Sequence, residues 1–380
     1  MKLLPDGTWR VSRHERPCAI GAWAASLALL VGSQVAHAES PLEQQLNERL
    51  IAMECPGALV GIFPRDGAAE RYALGVADLD SKAPMTLDMH MRIASVTKMF
   101  LAAVVLQLVD EGKLALDDPI AKYVEGVPAG DRITLRQLGN NTSGLFNSIE
   151  NKDFQRAIMA APEKDWPLGE ILDYAFAHDS YAEPGARWRY SNTNAVLLGM
   201  AIEKVTGESW AEAIDQRICR PLKLQHTGVP AKRGLLPDPH PSAYRNGYPD
   251  KVIGYGDTFY NVSNYSASWT GPAGEMYSTL DDLGRAIRPL VKGELISDAG
   301  REELSAWVET GRPNLEYGFC LGKIKGSAGH NGDVPGFNVA ARYLDDLDCT
   351  VITMTNLSNN KDKTMPAEEL ADLVIEHLRR

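Results

Sequence analysis

Hydrophobic residues fall along this chain in two rhythms, and the points where one gives way to the other mark out its elements. Residues 41–57, PLEQQLNERLIAMECPG, read as an amphipathic helix that stops at Pro56–Gly57. Two strand-like runs follow, ALVGIF (58–63) and ERYALGVADLD (70–80), joined by the turn sequence PRDG. A long apolar helical pattern then runs from about Ser95 to Glu111 and ends at Gly112. Residues 113–268 hold helical segments separated by long loops rich in Pro, Gly and Asn. The character changes again near 270. A helix over 276–291 opens on a Ser/Thr/Asp cluster, and strands follow at 317–324, 337–344 and 349–356. A final helix over 366–380 carries proline in its first turn.

Strands therefore occupy both ends of the chain and helices the middle. The simplest arrangement is α+β: one antiparallel sheet built from N- and C-terminal strands, flanked by helices, with a mainly helical domain inserted. We expect one catalytic domain over 39–380, with an α/β lobe at about 39–112 and 270–380 and a helical lobe at about 113–269. A cleft between two such lobes is a natural ligand site.

The first 38 residues read as a cleavable export signal. Arg10, Arg13 and Arg16 form a basic leader, residues 18–32 are apolar, and Ala36–His37–Ala38 is a small-x-small cleavage sequence. The apolar run is shorter than the about 20 residues a spanning helix needs, and no second run of that length exists. The expectation is a periplasmic or secreted protein without a stable membrane anchor. Cleavage removes four cations and two anions, taking the net charge from −11 to −13. So acidic a surface argues against nucleic acid as a partner. Of five cysteines, Cys18 leaves with the leader; Cys55, Cys219, Cys320 and Cys349 remain, and the sequence leaves their pairing open.

Three short motifs carry the chemistry. Ser95 and Lys98 lie one helical turn apart at the start of the apolar helix, so hydroxyl and amine share a face. The free N–H groups of a helix start also favour a developing oxyanion. Burial of Lys98 would lower its pKa and let it take the serine proton. Tyr190-Ser191-Asn192 precedes a second apolar helix, and places a phenol that can act as acid or base beside an amide that can meet a substrate carbonyl. His330-Asn331-Gly332 precedes the turn DVPG. There a histidine offers a donor or a cation, a glycine lets a substrate backbone approach, and the Asp333 N–H is a second oxyanion donor. No Gly-x-Ser-x-Gly elbow, zinc-hydrolase string or phosphate-binding glycine loop occurs, so no metal or other cofactor is expected. Arg187 and Arg189, beside Tyr190, could steer an anion or pair with surface acids.

Taken together and in this order, these motifs resemble those of the penicillin-recognising serine hydrolases, closest to the class C β-lactamase and D-alanyl-D-alanine carboxypeptidase branch. The blocks ITLRQLGNNTSGL and YSNTNAVLLGMAIEKVTG are similar too, and the resemblance covers roughly residues 55–375. It implies a β-lactamase/transpeptidase-like fold with Ser95 as acylated nucleophile and Lys98 and Tyr190 handling its proton. Asn192 would orient substrate and Lys98, and His330 would help hold a substrate carboxylate. The N–H groups of Ser95 and Asp333 would form the oxyanion hole. Trp269 resembles an aromatic beside the carboxypeptidase cleft. The chain departs from the pattern at Asn331, where the family carries a hydroxyl that meets the carboxylate, and at Asn141, where histidine is commoner. The expected substrate is a peptide or small molecule bearing a carboxylate or ester, with β-lactams among the candidates. A D-alanyl-D-alanine carboxypeptidase is the first reading. An esterase, a β-lactamase and a non-enzymatic penicillin-binding sensor are the alternatives.

Overall fold

A computed structural model describes residues 40–231, 235–247, 258–360, 362 and 364–380, together with a two-residue ladder between Lys2–Leu3 and Trp9–Arg10. Apart from that ladder, the leader over 1–38 lies outside the described residues.

Eight antiparallel strands form the main sheet. The N-terminal pair is β1 (Gly57–Pro64) and β2 (Glu70–Gly75). The C-terminal set is β3 (Val308–Glu309), β4 (Leu315–Tyr317), β5 (Gly322–Ile324), β6 (Ser327–Val334), β7 (Phe337–Leu344) and β8 (Cys349–Thr355). Their order is β2-β1-β8-β7-β6-β5-β4-β3, so β8 beside β1 joins the two ends of the chain. Strands β7 and β8 are buried along their whole length, including the polar Asn338, Arg342, Thr350, Thr353 and Thr355.

The two-residue period of the strands sends alternate side chains into two cores. Ala340, Leu344 and Val351 meet helices α1 (Pro41–Ala52) and α10 (Pro366–Leu378). Val339, Ala341, Tyr343 and Ile352 meet α2 (Thr97–Asp110) and α8 (Leu280–Lys292). Between α2 and α8 the chain forms α3 (Leu135–Gly139), α4 (Lys152–Ala160), α5 (Leu168–Phe176), α6 (Asn192–Thr206) and α7 (Trp210–Ile214). The short α9 (Asp298–Leu304) follows α8. Helix α2 is buried on every side from Thr97 to Leu106, which is why its sequence lacks a polar face.

Several boundaries differ from those expected. The helix opening at 95 is led in by a single 3₁₀ turn, Ala94–Val96, with Ala94 at φ 47°. The second strand stops at Gly75 rather than 80 because Gly75 takes φ 69° hard against the Pro56 carbonyl. The run 317–324 is interrupted by a bend at Cys320, φ 52°, leaving β4 and β5. Tyr277–Ser278 pairs with Met91–Arg92 as a small ladder, so α8 starts only at Leu280, capped by the Thr279 hydroxyl accepting from Asp282 N–H. The four cysteines are buried and unpaired, and burial pushes the Cys55, Cys219 and Cys320 thiols up to about 12. Among the described residues no helix is long and apolar enough to cross a membrane.

Candidate active site

Lys98 is buried in the first turn of α2. Its Nζ lies 3.0 Å from Ser95 Oγ, 2.9 Å from Asn192 Oδ1 and 2.5 Å from the Ala273 carbonyl oxygen. No carboxylate is among these neighbours. Burial disfavours the ammonium form and brings its pKa down to about 7. The Ala273 carbonyl is aimed by close packing: a Cβ on Gly199 of α6 would lie 2.3 Å from Pro272 Cγ, so α6 and the 268–273 segment touch backbone to ring.

Tyr190 delivers its hydroxyl 3.0 Å from the same Ser95 Oγ. Its burial holds the phenol above its ordinary pKa, so it remains a proton donor at neutral pH. The position of Tyr190 and Asn192 depends on how the start of α6 is held. No side chain of Ser191 caps it; the Ser191 hydroxyl donates to the Phe146 carbonyl instead. The free N–H groups of the helix start are taken by two distant asparagines. Ser191 N–H donates to Asn141 Oδ1 at 3.0 Å and Asn192 N–H to Asn147 Oδ1 at 3.0 Å. Asn141 Oδ1 also accepts from Asn194 Nδ2 at 2.9 Å. Asn141 has φ 61°, a left-handed conformation that asparagine tolerates better than most residues.

Strand β6 supplies the third part, and three expectations about it change. Cross-strand pairing puts His330 opposite Ala341 and Gly332 opposite Val339, on the sheet face of α2 and Ser95. Asn331 and Asp333 pair with Ala340 and Asn338, on the face of α10. The side chain of Asn331 therefore points away from Ser95: its amide donates to Glu368 on α10, and its Oδ1 is buried without a partner among the described residues. It is not placed to meet a substrate as expected.

His330 is not the expected cation. Burial drives its pKa down to about 3, and the nearby positive charge of Lys98 adds to this. Its Nδ1 lies 2.5 Å from the Asn331 carbonyl oxygen, an acceptor, so that nitrogen carries the proton in the neutral ring. Its Nε2 is then the acceptor for the Tyr317 hydroxyl at 3.0 Å.

Gly332 admits the chain's own backbone rather than a substrate's. A Cβ there would lie 2.5 Å from the Ile93 carbonyl oxygen and 3.0 Å from Ser95 N. The Asp333 N–H faces the open side. The two-residue loops Lys325–Gly326 and Pro335–Gly336 make Ile324/Ser327 and Val334/Phe337 hydrogen-bonded pairs, so odd-numbered residues of β6 turn their N–H groups toward β5. β5 has no partner beyond Gly329, which leaves the Asp333 N–H unclaimed by the sheet.

A cavity of about 70 Å³ opens at Ser95, bounded by Asn192, Trp269, Gly274, Asp333 and Val334. Trp269 lines this cavity together with Ser95. A second cavity, of about 340 Å³, is lined by Tyr190. Reasoning from sequence missed Ala273, which acts through a backbone oxygen, and Tyr317, which no motif marks. For Asn141 the sequence does carry a signal, asparagine in place of the commoner histidine before Thr-Ser-Gly, but its partners Ser191 and Asn194 lie about 50 residues away.

A family model described as Beta-lactamase matches residues 42–375. The chain is 28% identical over 320 residues to "Penicillin-binding protein 4*" of Bacillus subtilis, covering 77% of this chain and 66% of that protein's length. It is 30% identical over 336 residues to "Esterase EstB" of Burkholderia gladioli, covering 80% and 81%. Among solved structures, a D-stereospecific amidohydrolase from Streptomyces sp. superposes with a TM-score of 0.76 at 32% identity, covering 87% of this chain and 96% of that one.

Proposed function

The chain belongs to the Beta-lactamase family, within the penicillin-recognising serine hydrolases, and from that premise we propose that it is an exported enzyme cleaving an amide or ester bond through an acyl-enzyme on Ser95. The observation that carries the reading is the convergence of Lys98 Nζ and Tyr190 OH on Ser95 Oγ, each at 3.0 Å. Neutral Lys98 takes the proton of Ser95 Oγ as that oxygen bonds to the substrate carbonyl carbon. The carbonyl oxygen gains negative charge and is met by the N–H groups of Ser95 and Asp333. The bond to the leaving nitrogen or oxygen then breaks, and Tyr190 gives that atom a proton and is reprotonated through Lys98. Water hydrolyses the Ser95 ester by the same steps and restores the hydroxyl.

The substrate we favour is a D-alanyl-D-alanine-like or other D-amino-acid peptide. The likeness to a D-stereospecific amidohydrolase supports this. An esterase is the second reading, because neutral His330 offers no charge for a carboxylate and because of the likeness to an esterase. Giving the mature protein a D-Ala-D-Ala peptide, a short-chain p-nitrophenyl ester and a penicillin separates these. Peptide turnover with a lasting penicillin adduct supports the carboxypeptidase, and ester turnover alone the esterase. Rapid loss of the penicillin adduct marks a β-lactamase, and a stable adduct without turnover a sensor. No acylation of Ser95 by any of the three would overturn the proposal.

A further inference from the structure

The third motif of this chain brings no cation to Ser95, yet a substrate with a carboxylate needs one. The 340 Å³ cavity at Tyr190 is lined by Arg187, Arg189 and Arg312 against one acid, Glu150. It carries a local excess of positive charge on a chain whose net charge is −11. Its volume falls in the range of small-molecule sites, whereas the space directly at Ser95 is far smaller.

The three arginines are not equivalent. Arg189 is committed: it pairs with Glu150 at 2.9 Å and lies 3.7 Å above the Tyr181 ring. Arg187 donates from one Nη to the Tyr181 carbonyl at 2.7 Å and has no acid partner among the described residues. Arg312 sits in the turn between β3 and β4, its guanidinium 5.3 Å from the centre of the Trp188 ring. It makes no salt bridge among the described residues. Trp188 adds a buried Nε1–H without an acceptor among the described residues. Two guanidiniums without an acid partner among the described residues, one lying over the Trp188 ring, suit a planar bidentate anion.

We infer that this cavity is a carboxylate subsite for the leaving-group side of the substrate, with Arg312 and Arg187 as its specificity-determining residues. The side follows from Tyr190, which lines the cavity and also reaches Ser95 Oγ at 3.0 Å, so the group it protonates departs toward the arginines. The inference rests on the acyl-enzyme reading and deepens it: a carboxylate on the leaving amine or alcohol, as on a C-terminal amino acid, is recognised away from the third motif.

The test uses two acetyl esters that give the same acetyl-enzyme and differ only in the leaving phenol, 4-acetoxybenzoate and its methyl ester. The carboxylate ester is expected to have the higher kcat/KM by roughly tenfold, the worth of a charge-assisted hydrogen bond. Arg187→Ala/Arg312→Ala should bring the ratio near one, and Arg312→Lys should keep part of it. A wild-type ratio near one, or a ratio unchanged in the double variant, would overturn the inference. Titration of both esters into Ser95→Ala by calorimetry reads the same preference without turnover. Lack of turnover would therefore sink the hydrolase reading alone, while equal binding of the two esters would sink the subsite.

Discussion

Lys98 Nζ meets Ser95 Oγ at 3.0 Å, and its two other neighbours, Asn192 Oδ1 and the Ala273 carbonyl, are oxygens that can only accept. This fixes the direction of proton flow. A neutral amine has two hydrogens and one lone pair. The hydrogens go to the two obligate acceptors, which leaves the lone pair toward the serine hydroxyl. The protonated amine donates to all three and has nothing with which to accept. The chemistry therefore turns on the ionisation of one buried group.

Activity should rise with pH through about 7, where Lys98 loses its proton, and should not carry a limb near pH 6 from His330, whose ring is already neutral down to about 3. The kcat/KM profile for an uncharged ester measures this. Lys98→Arg, which cannot deprotonate, should lower kcat/KM by about 10²–10⁴-fold without restoring the limb at another pH.

Replacing Asn141 should disturb Tyr190 and Asn192 from a distance. Asn141→Ala removes the acceptor for Ser191 N–H and Asn194 Nδ2 and leaves an alanine at φ 61°. A loss of about 2–3 kcal/mol in urea unfolding is expected, for buried donors left unmade. Asn141→Gly relieves the backbone but not the hydrogen bonds and should lose less. Equal losses would assign the residue a purely hydrogen-bonding role.

Gly332→Ala should separate β6 from the nucleophile turn. The new Cβ meets backbone at 2.5 Å and 3.0 Å, which no side-chain rotation can relieve. A shift of about 1 Å between Ser95 N and Asp333 N should cost kcat on the order of 10²-fold, with a smaller change in KM. Steady-state kinetics on an uncharged ester, with circular dichroism as a check on folding, decides it.

Tyr317→Phe should leave His330 Nε2 without a donor while the Asn331 carbonyl still holds the proton on Nδ1. It deletes the donor to Nε2 in a buried site, at about 1–3 kcal/mol of stability. The imidazole ¹⁵N shifts of wild-type protein should show a neutral ring protonated at Nδ1 across pH 5–8. Titration of that ring near its ordinary value would contradict its burial.

Much of the framework was legible in the sequence because it follows local rules. The apolar-rich runs of β7 and β8, the three-residue spacing of Ser95 and Lys98, and the apolar girth of α2 each reflect a single element's periodicity. What failed depended on packing between elements. The charge of His330 was decided by burial beside Lys98 and Tyr317. The direction of Asn331 was decided by register, since residues adjacent on a strand cannot both face Ser95. The supports of Tyr190 come from Asn141 and Asn147, more than 40 residues upstream.

The central claim is that Ser95 becomes acylated with Lys98 as the base. Intact mass and peptide mapping after incubation with a fluorescent penicillin and a p-nitrophenyl ester test it most directly. The account predicts one adduct, confined to the peptide carrying Ser95 and absent from Ser95→Ala, and strongly slowed in Lys98→Met. An adduct that persists in Ser95→Ala, or ester turnover that survives that substitution, would contradict it.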